Sequence, residues 1–364
     1  MIPGPPSYHI DWDGLGHYLE PLRDCPQDPV HHAEGDVYIH TRMVLEWLVS
    51  SARYQALDDD GRSIVFWACL LHDVAKPICT RTELDGRITA RFHSTKGAVL
   101  ARRMLWQARV PFALREQICG LIRHHQIPFF LVDQPDGRRR AIEISLSARC
   151  DHLALVTEAD ARGRHCADLG RLIDNIELFR ALCDDEGCLS APYAFPSAHA
   201  RFHYLARGGR DPQYQPHEDF GSEVILMSGL PGAGKDHLVR TELGDYTVVS
   251  LDRVRAELDI DPDENQAAVI AHAREEARVQ LRAGARLVWN ATNLSRQLRG
   301  PLISLFADYG ARVRILYVEV PEETLHAQNR ARPARVPTKV IERMLDRWEV
   351  PTLAEAHEVT WRVR

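Results

Sequence analysis

The chain has 364 residues, a formal net charge of −6, 45% hydrophobic and 26% charged residues, the balance of an ordinary soluble protein too long for one core, so two domains are expected. No apolar run approaches the ~18 residues that cross a bilayer, and the opening MIPGPPSYHIDWDG lacks the basic and apolar stretches of a secretory leader, so a cytoplasmic protein without a membrane is expected. Residues 1–220 hold 25 Lys+Arg against 30 Asp+Glu and residues 221–364 hold 20 against 21, which excludes a basic nucleic-acid-coating domain and confines any such contact to a site.

The eight cysteines form no C-x-x-C pair and read as reduced thiols. Residues 36–183 read as mostly helical. Ile39, Met43, Val44, Trp47 and Leu48 recur at helical spacing, as do Ile64, Trp67, Ala68 and Leu71. Further helices are expected over Phe112–Arg123 and from about Ile142 to Arg164, with residues 133–141 as an exposed basic loop. Residues 184–220 mix Pro, Gly, aromatic and charged residues and read as a connector.

Beyond it, the apolar runs EVILMSG, YTVVSLD, RLVWNATN and VRILYVEV alternate with helical patterns such as Glu264–Ala283 and Gln297–Tyr309. That order predicts a parallel sheet covered by helices. The chain is thus expected to be multidomain: all-α over 1–183, a connector over 184–220 and an α/β P-loop domain over 221–364.

In the first half, ACLLHDVAKP ends an apolar helix with His72 and Asp73. Adjacent helical residues diverge by about 100°, so both can face one ion only near a helix end, and Lys76-Pro77 supplies that end. His40 lies upstream in VYIHTRMVLEWL. His93, the pair His124 and His125, and Asp160 follow downstream. A single such histidine is more often a satisfied core residue, but several clusters beside helices point to a divalent-metal site. Imidazole and carboxylate suit Fe, Mn, Co, Ni, Cu or Zn, as one ion or two, and the implied chemistry is phosphate-ester hydrolysis.

In the second half, Gly229-Leu230-Pro231-Gly232-Ala233-Gly234-Lys235 fits the G-x-x-x-x-G-K phosphate cradle between a strand and a helix. Glycine amides and the helix start face phosphate oxygens, and Lys235 reaches toward them. Asp236 stands where that pattern has Ser or Thr, either as a Mg-linked ligand or in a capping role, with His237 next to it. Asp252, just past a strand, can accept a hydroxyl proton or cap a helix. Arg255, three residues on, can bind an acceptor phosphate. Trp289-Asn290-Ala291-Thr292-Asn293 ends the third strand in polar groups that either position magnesium or the acceptor, with Asn293 as the acceptor contact, or simply form a turn. Arg330, Arg332 and Arg335 form a basic segment able to close on a transferring phosphoryl group, with Arg332 and Arg335 placed on the nucleotide.

Residues 222–364 resemble the P-loop polynucleotide kinase family through GLPGAGK, SLDRVR and the arginine-rich segment before VPTKVIERM. The resemblance implies that Lys235 contacts donor phosphates, Asp252 is the general base and Arg255 grips the acceptor. The first half resembles the HD phosphohydrolase superfamily: His40, His72, Asp73 and Asp160 match its H…HD…D ligands. His93 and His124, with His125 as the alternative, match the extra histidines of two-metal members; Lys76 and Arg164 match phosphate-binding positions. In this order the two are similar to HD-Pnk, a bacterial fusion. It implies removal of 2′-, 3′- or 2′,3′-cyclic phosphate from RNA ends and 5′-hydroxyl phosphorylation by Mg with ATP or another NTP. The implied partners are RNA or DNA ends and a downstream ligase. Free nucleotides or small metabolites as substrates, and a nucleotide-sensing regulator, are the alternative readings.

Overall fold

Asp36 accepts a hydrogen bond from the Ile39 amide and caps the Val37–Ser50 helix, and Asp58 does the same for Gly61 and the Asp59–Leu71 helix. In this computed structural model, which describes residues 2–364 apart from 207, 209, 210, 262, 263 and 333, the chain divides into two compact units, Met1–Ala194 and Phe195–Arg364.

The first unit is helical apart from a two-stranded hairpin, Arg81–Thr82 with Ile88–Thr89. Val37–Ser50, Asp59–Leu71, His93–Gln107, Phe112–His124 and Cys150–Arg162 surround one apolar core that includes Val44, Leu48, Phe66, Leu121 and Leu153. The Asp59–Leu71 helix stops at Leu71, and a turn closed by Val74 N–H to Leu71 O follows before the short Lys76–Cys79 helix.

Two expectations need correction. The single helix expected from about Ile142 to Arg164 is two, Gly137–Ser145 and Cys150–Arg162, parted by a turn at 146–149. There the Ser147 carbonyl comes so close to Gly120 that a Cβ would lie 2.5 Å from it. The expected basic loop 133–141 is helical from Gly137 onward, because its arginines lie on one turn of a helix whose other face buries Ala141 and Ile144.

The second unit holds a parallel five-stranded sheet in the spatial order Thr247–Ser250, Leu287–Asn290, Ser222–Ser228, Ala311–Glu319, Glu358–Val363. The fifth strand, Glu358–Val363, was not anticipated, since EVTWRV is half exposed and lacks the apolar run of a central strand. The expected 184–220 connector is shared between the units. Cys188 belongs to the first core, whereas the Ala198–Ala206 helix seats Phe202 in the second. Among the described residues, no helix is long and apolar enough to cross a membrane.

Candidate functional site

In the first unit, five elements aim side chains at one buried point. Nε2 of His40 lies 3.3 Å from Nε2 of His72 and 3.2 Å from Oδ1 of Asp160. Asp73 continues the cluster: its Oδ2 is 3.2 Å from His72 Nε2, and its Oδ1 is 3.3 Å from His93 Nε2. His93 Nε2 is in turn 3.3 Å from His125 Nε2. Two groups of candidate ligands result, His40–His72–Asp160 and Asp73–His93–His125.

The opposite ring nitrogens explain why these rings point inward. Nδ1 of His72, His93 and His125 meets the carbonyls of Cys69, Ala90 and Ile122, each at 2.7 Å, and Nδ1 of His40 meets Gly163 O at 3.1 Å. A carbonyl only accepts, so Nδ1 carries the proton and Nε2 presents a lone pair to the centre. Two such lone pairs at 3.3 Å cannot hydrogen-bond to each other. Neither oxygen of Asp73 has a hydrogen bond of good geometry, although Lys76 Nζ is 2.7 Å from Oδ2. Burial opposes a charge on His40, yet Asp160 and Glu34 raise its pKa. Burial likewise opposes the Asp73 carboxylate, and the neighbouring His72 and Lys76 hold it well below its usual range. The position calls for positive charge, and the donor set fits divalent cations.

The structure brings together His40, His72, Asp73, His93, His125 and Asp160. It does not bring in His124, whose Nε2 faces Ser147 Oγ at 3.5 Å. On the Phe112–His124 helix the neighbouring ring projects elsewhere, and only His125, just past the last turn, can face His93. Lys76 also donates to Gln27 Oε1 at 2.6 Å, and Arg164 pairs with Asp160. Both line a cavity of about 390 Å³ with His32, His93, Phe92 and Phe130. Phe92 and Phe130 are exposed, and Phe92 sits at φ 64°, a left-handed conformation unusual for an aromatic residue.

Glu34 escaped the sequence reading. Its Oε1 lies 2.8 Å from Nδ1 of His32 and 3.0 Å from Nδ1 of His40, and Oε2 accepts the His165 amide. Burial opposes its ionisation, but these contacts hold its pKa below the ordinary value. The available signal was the HHAEGD run just before the helix bearing His40.

In the second unit, the Ser222–Ser228 strand runs into the cradle. Gly229 and Gly232 take φ 146° and 85°, and a Cβ on either would collide with Val318 O or Leu325 O. Ala233 is buried within the loop, and Gly234, at φ 97°, opens the Lys235–Glu242 helix. Lys235 Nζ donates to Gly229 O and Leu230 O at 2.8 and 2.9 Å, and burial lowers its pKa to about 8. Asp236 is in the helix's first turn rather than at its cap; its Oδ1 accepts Asn290 Nδ2 at 2.8 Å. His237 beside it is exposed.

Ser250, not Asp252, caps the Leu251–Leu258 helix, which leaves the exposed Asp252 carboxylate paired with Arg255. Arg332 Nη2 reaches toward both carboxylates, 3.7 Å from Asp236 and 3.8 Å from Asp252. Arg330 and Arg335 are exposed.

Asn293 corrects an expectation. Its amide is buried and donates to Met227 O at 2.7 Å, and its carbonyl accepts from Ser228 Oγ and from Arg299, itself clamped by Glu355. Asn293 therefore braces the loop from inside the sheet. Asn290 is the residue of this strand end that faces the cradle.

Residues 37–160 match the HD domain, and residues 224–351 match the AAA domain. The chain thus carries an HD-domain match in its first unit and an AAA-domain match, containing the glycine-rich phosphate cradle, in its second. The HD-containing chain is also similar to curated proteins named Multifunctional CCA protein. That of Acidovorax sp. (strain JS42) is 31% identical over 151 residues, 40% of this chain and 33% of that protein. That of Ralstonia nicotianae (strain ATCC BAA-1114 / GMI1000) is 26% identical over 196 residues, 50% and 42%. The matches thus span 33% and 42% of these two relatives' length. Among solved structures, an unliganded sugar kinase from Janibacter sp. HTCC2649 aligns at 16% identity and TM-score 0.31, over 39% of this chain and 85% of that one. A gluconokinase from Sinorhizobium meliloti 1021 aligns at 18% and 0.29, over 39% and 84%.

Proposed function

We propose that this HD–P-loop chain heals broken RNA ends. The first unit hydrolyses 2′-, 3′- or 2′,3′-cyclic phosphate ends, and the second transfers a phosphoryl group from an NTP to a 5′-hydroxyl. The observation that carries the reading is the presence in one chain of a buried imidazole–carboxylate centre beside a cavity lined by Lys76 and Arg164, and of a glycine cradle whose Asp236 shares Arg332 with the Asp252–Arg255 pair.

In the HD unit, His40, His72, Asp73, Asp160, His93 and His125 would hold the cations. When bound, these supply an activated nucleophile and a clamp on phosphate oxygens. Lys76 and Arg164 line the cavity and are placed to bind the terminal phosphate. Phe92 and Phe130 offer exposed faces on which bases can stack, which favours a polynucleotide end.

In the P-loop unit, the cradle amides and Lys235 hold the triphosphate, with Mg the expected companion ion. Arg255 holds the acceptor phosphate. Asp252 takes the 5′-hydroxyl proton as the new O–P bond forms and the bond to the β-phosphate oxygen breaks, with nucleoside diphosphate leaving. Arg332 is placed to face the developing charge.

The net charge of −6 favours a second reading, with free nucleotides or small hydroxyl compounds as substrates. One experiment separates the two. Purified protein is incubated with ATP, Mg and Mn, either with an oligoribonucleotide bearing 5′-hydroxyl and 2′,3′-cyclic phosphate ends or with nucleosides and their monophosphates. Conversion of both oligomer ends supports end healing; equal or greater conversion of the monomers overturns it.

A further inference from the structure

Cys183 and Cys188 are near neighbours in sequence and Cys150 lies far upstream of both, and the three sulfurs all fall within 4.8 Å of each other in the first unit. All three are fully buried and none is in a disulfide. We propose that they form a thiolate site for one soft d¹⁰ cation, zinc, separate from the HD centre.

The backbone builds this convergence. Cys183 lies in the last turn of the Leu169–Asp185 helix, and Gly187, at φ 64°, reverses the chain just after it. The Cys188 amide then donates to Cys183 O at 2.8 Å, bringing the two sulfurs to one side. Cys150 opens the Cys150–Arg162 helix, and the next amide, Asp151 N–H, donates to Leu189 O at 2.9 Å. Three backbone segments are thereby tied around one point.

A free cysteine usually serves as a small core hydrophobe, and each of the three could do so alone. Their grouping argues otherwise. Tetrahedral zinc with Zn–S bonds of about 2.3 Å sets its sulfurs about 3.8 Å apart, so a cluster within 4.8 Å needs only a small inward shift to close. Among the described residues, no other group of three cysteines gathers in this way. Three thiolates on a dication leave one net negative charge, and the amide end of the 13-residue helix at Cys150 offsets it. Ser145 Oγ donates to Ile142 O at 2.7 Å and accepts the Tyr193 amide at 3.0 Å, so the three sulfurs are the ligands proposed for the ion. The ion would pin the first turn of the helix that carries Asp160 to the end of the Leu169–Asp185 helix that follows it.

Cobalt tests this on the full chain, because thiolate-bound cobalt gives an intense near-ultraviolet charge-transfer band that imidazole and carboxylate ligands do not. Protein produced in cobalt-supplemented minimal medium is expected to show the band. Cys150→Ser and Cys183→Ser should lose it while keeping the cobalt of the HD centre. Zinc-grown protein should release one equivalent of zinc to a chromophoric chelator when a mercurial titrates the thiols. Folded, cobalt-grown wild-type protein without the band overturns the proposal even if the variants fail to fold. A band that survives in Cys183→Ser overturns it as well.

Discussion

Nε2 of His93 stands 3.3 Å from Oδ1 of Asp73. The other oxygen of Asp73 faces His72 and His40, so one carboxylate links the two ligand groups. Asp73→Ala removes the shared ligand and is expected to lower phosphate-ester hydrolysis by more than the ~10–100-fold typical of outer partners, with a matching loss of bound metal. Phosphoryl transfer should persist. Lys235→Ala should do the reverse, and measuring both reactions on both folded variants checks the independence of the two centres.

The adjacent histidines separate a ligand from a bystander. His125→Ala opens the Asp73–His93 group and should cost bound metal and hydrolysis together. His124→Ala disturbs a contact to Ser147 outside the cluster, so metal content measured by mass spectrometry should stay at the wild-type level.

Glu34 acts through His40, whose Nδ1 it meets at 3.0 Å. Glu34→Gln keeps the shape but removes the charge that holds the imidazole's proton on that side. Metal affinity is expected to fall about 10–100-fold. Rescue of hydrolysis at high metal concentration would mark a positioning role, whereas an unchanged affinity would remove it.

The two folds were legible because periodicity distinguishes a helical tract from a parallel sheet. The histidine and aspartate positions were legible because chemistry restricts which residues bind metals. What was hidden is which of two neighbours turns inward. His124 and His125 differ by one step of rotation at a helix end, and Asn290 and Asn293 by the path of a loop with Asn293 at φ 44°. Such choices depend on packing partners distant in sequence, as when Met227 O claims the Asn293 amide. Glu34 stayed hidden although its partners His32 and His40 are near in sequence, because its carboxylate meets their Nδ1 atoms only once the segment before the helix has folded back onto it.

Asn293→Ala therefore tests structure rather than acceptor binding. It leaves the Met227 carbonyl without its donor in a buried place, and a loss of about 1–3 kcal/mol in unfolding free energy is expected. The KM for the 5′-hydroxyl acceptor should not move, which steady-state kinetics below the lowered melting transition can check.

Asp236 is the feature that sets this cradle apart. Its carboxylate, held by Asn290 and faced by Arg332, sits in the first turn of the helix proposed to receive the triphosphate. Two like charges 4 Å apart repel by about 4 kcal/mol at an effective dielectric of 20. Nucleotide binding without a divalent ion should therefore be weak, and magnesium should relieve the repulsion by bridging carboxylate and phosphate. Asp236→Ser removes the repulsion and restores the usual hydroxyl. Metal-free ATP is then expected to bind more tightly, narrowing the affinity gap between Mg-ATP and ATP about tenfold, or about 1.4 kcal/mol. Calorimetric titration with and without magnesium measures that gap, and an unchanged gap would show that the carboxylate does not couple to the metal.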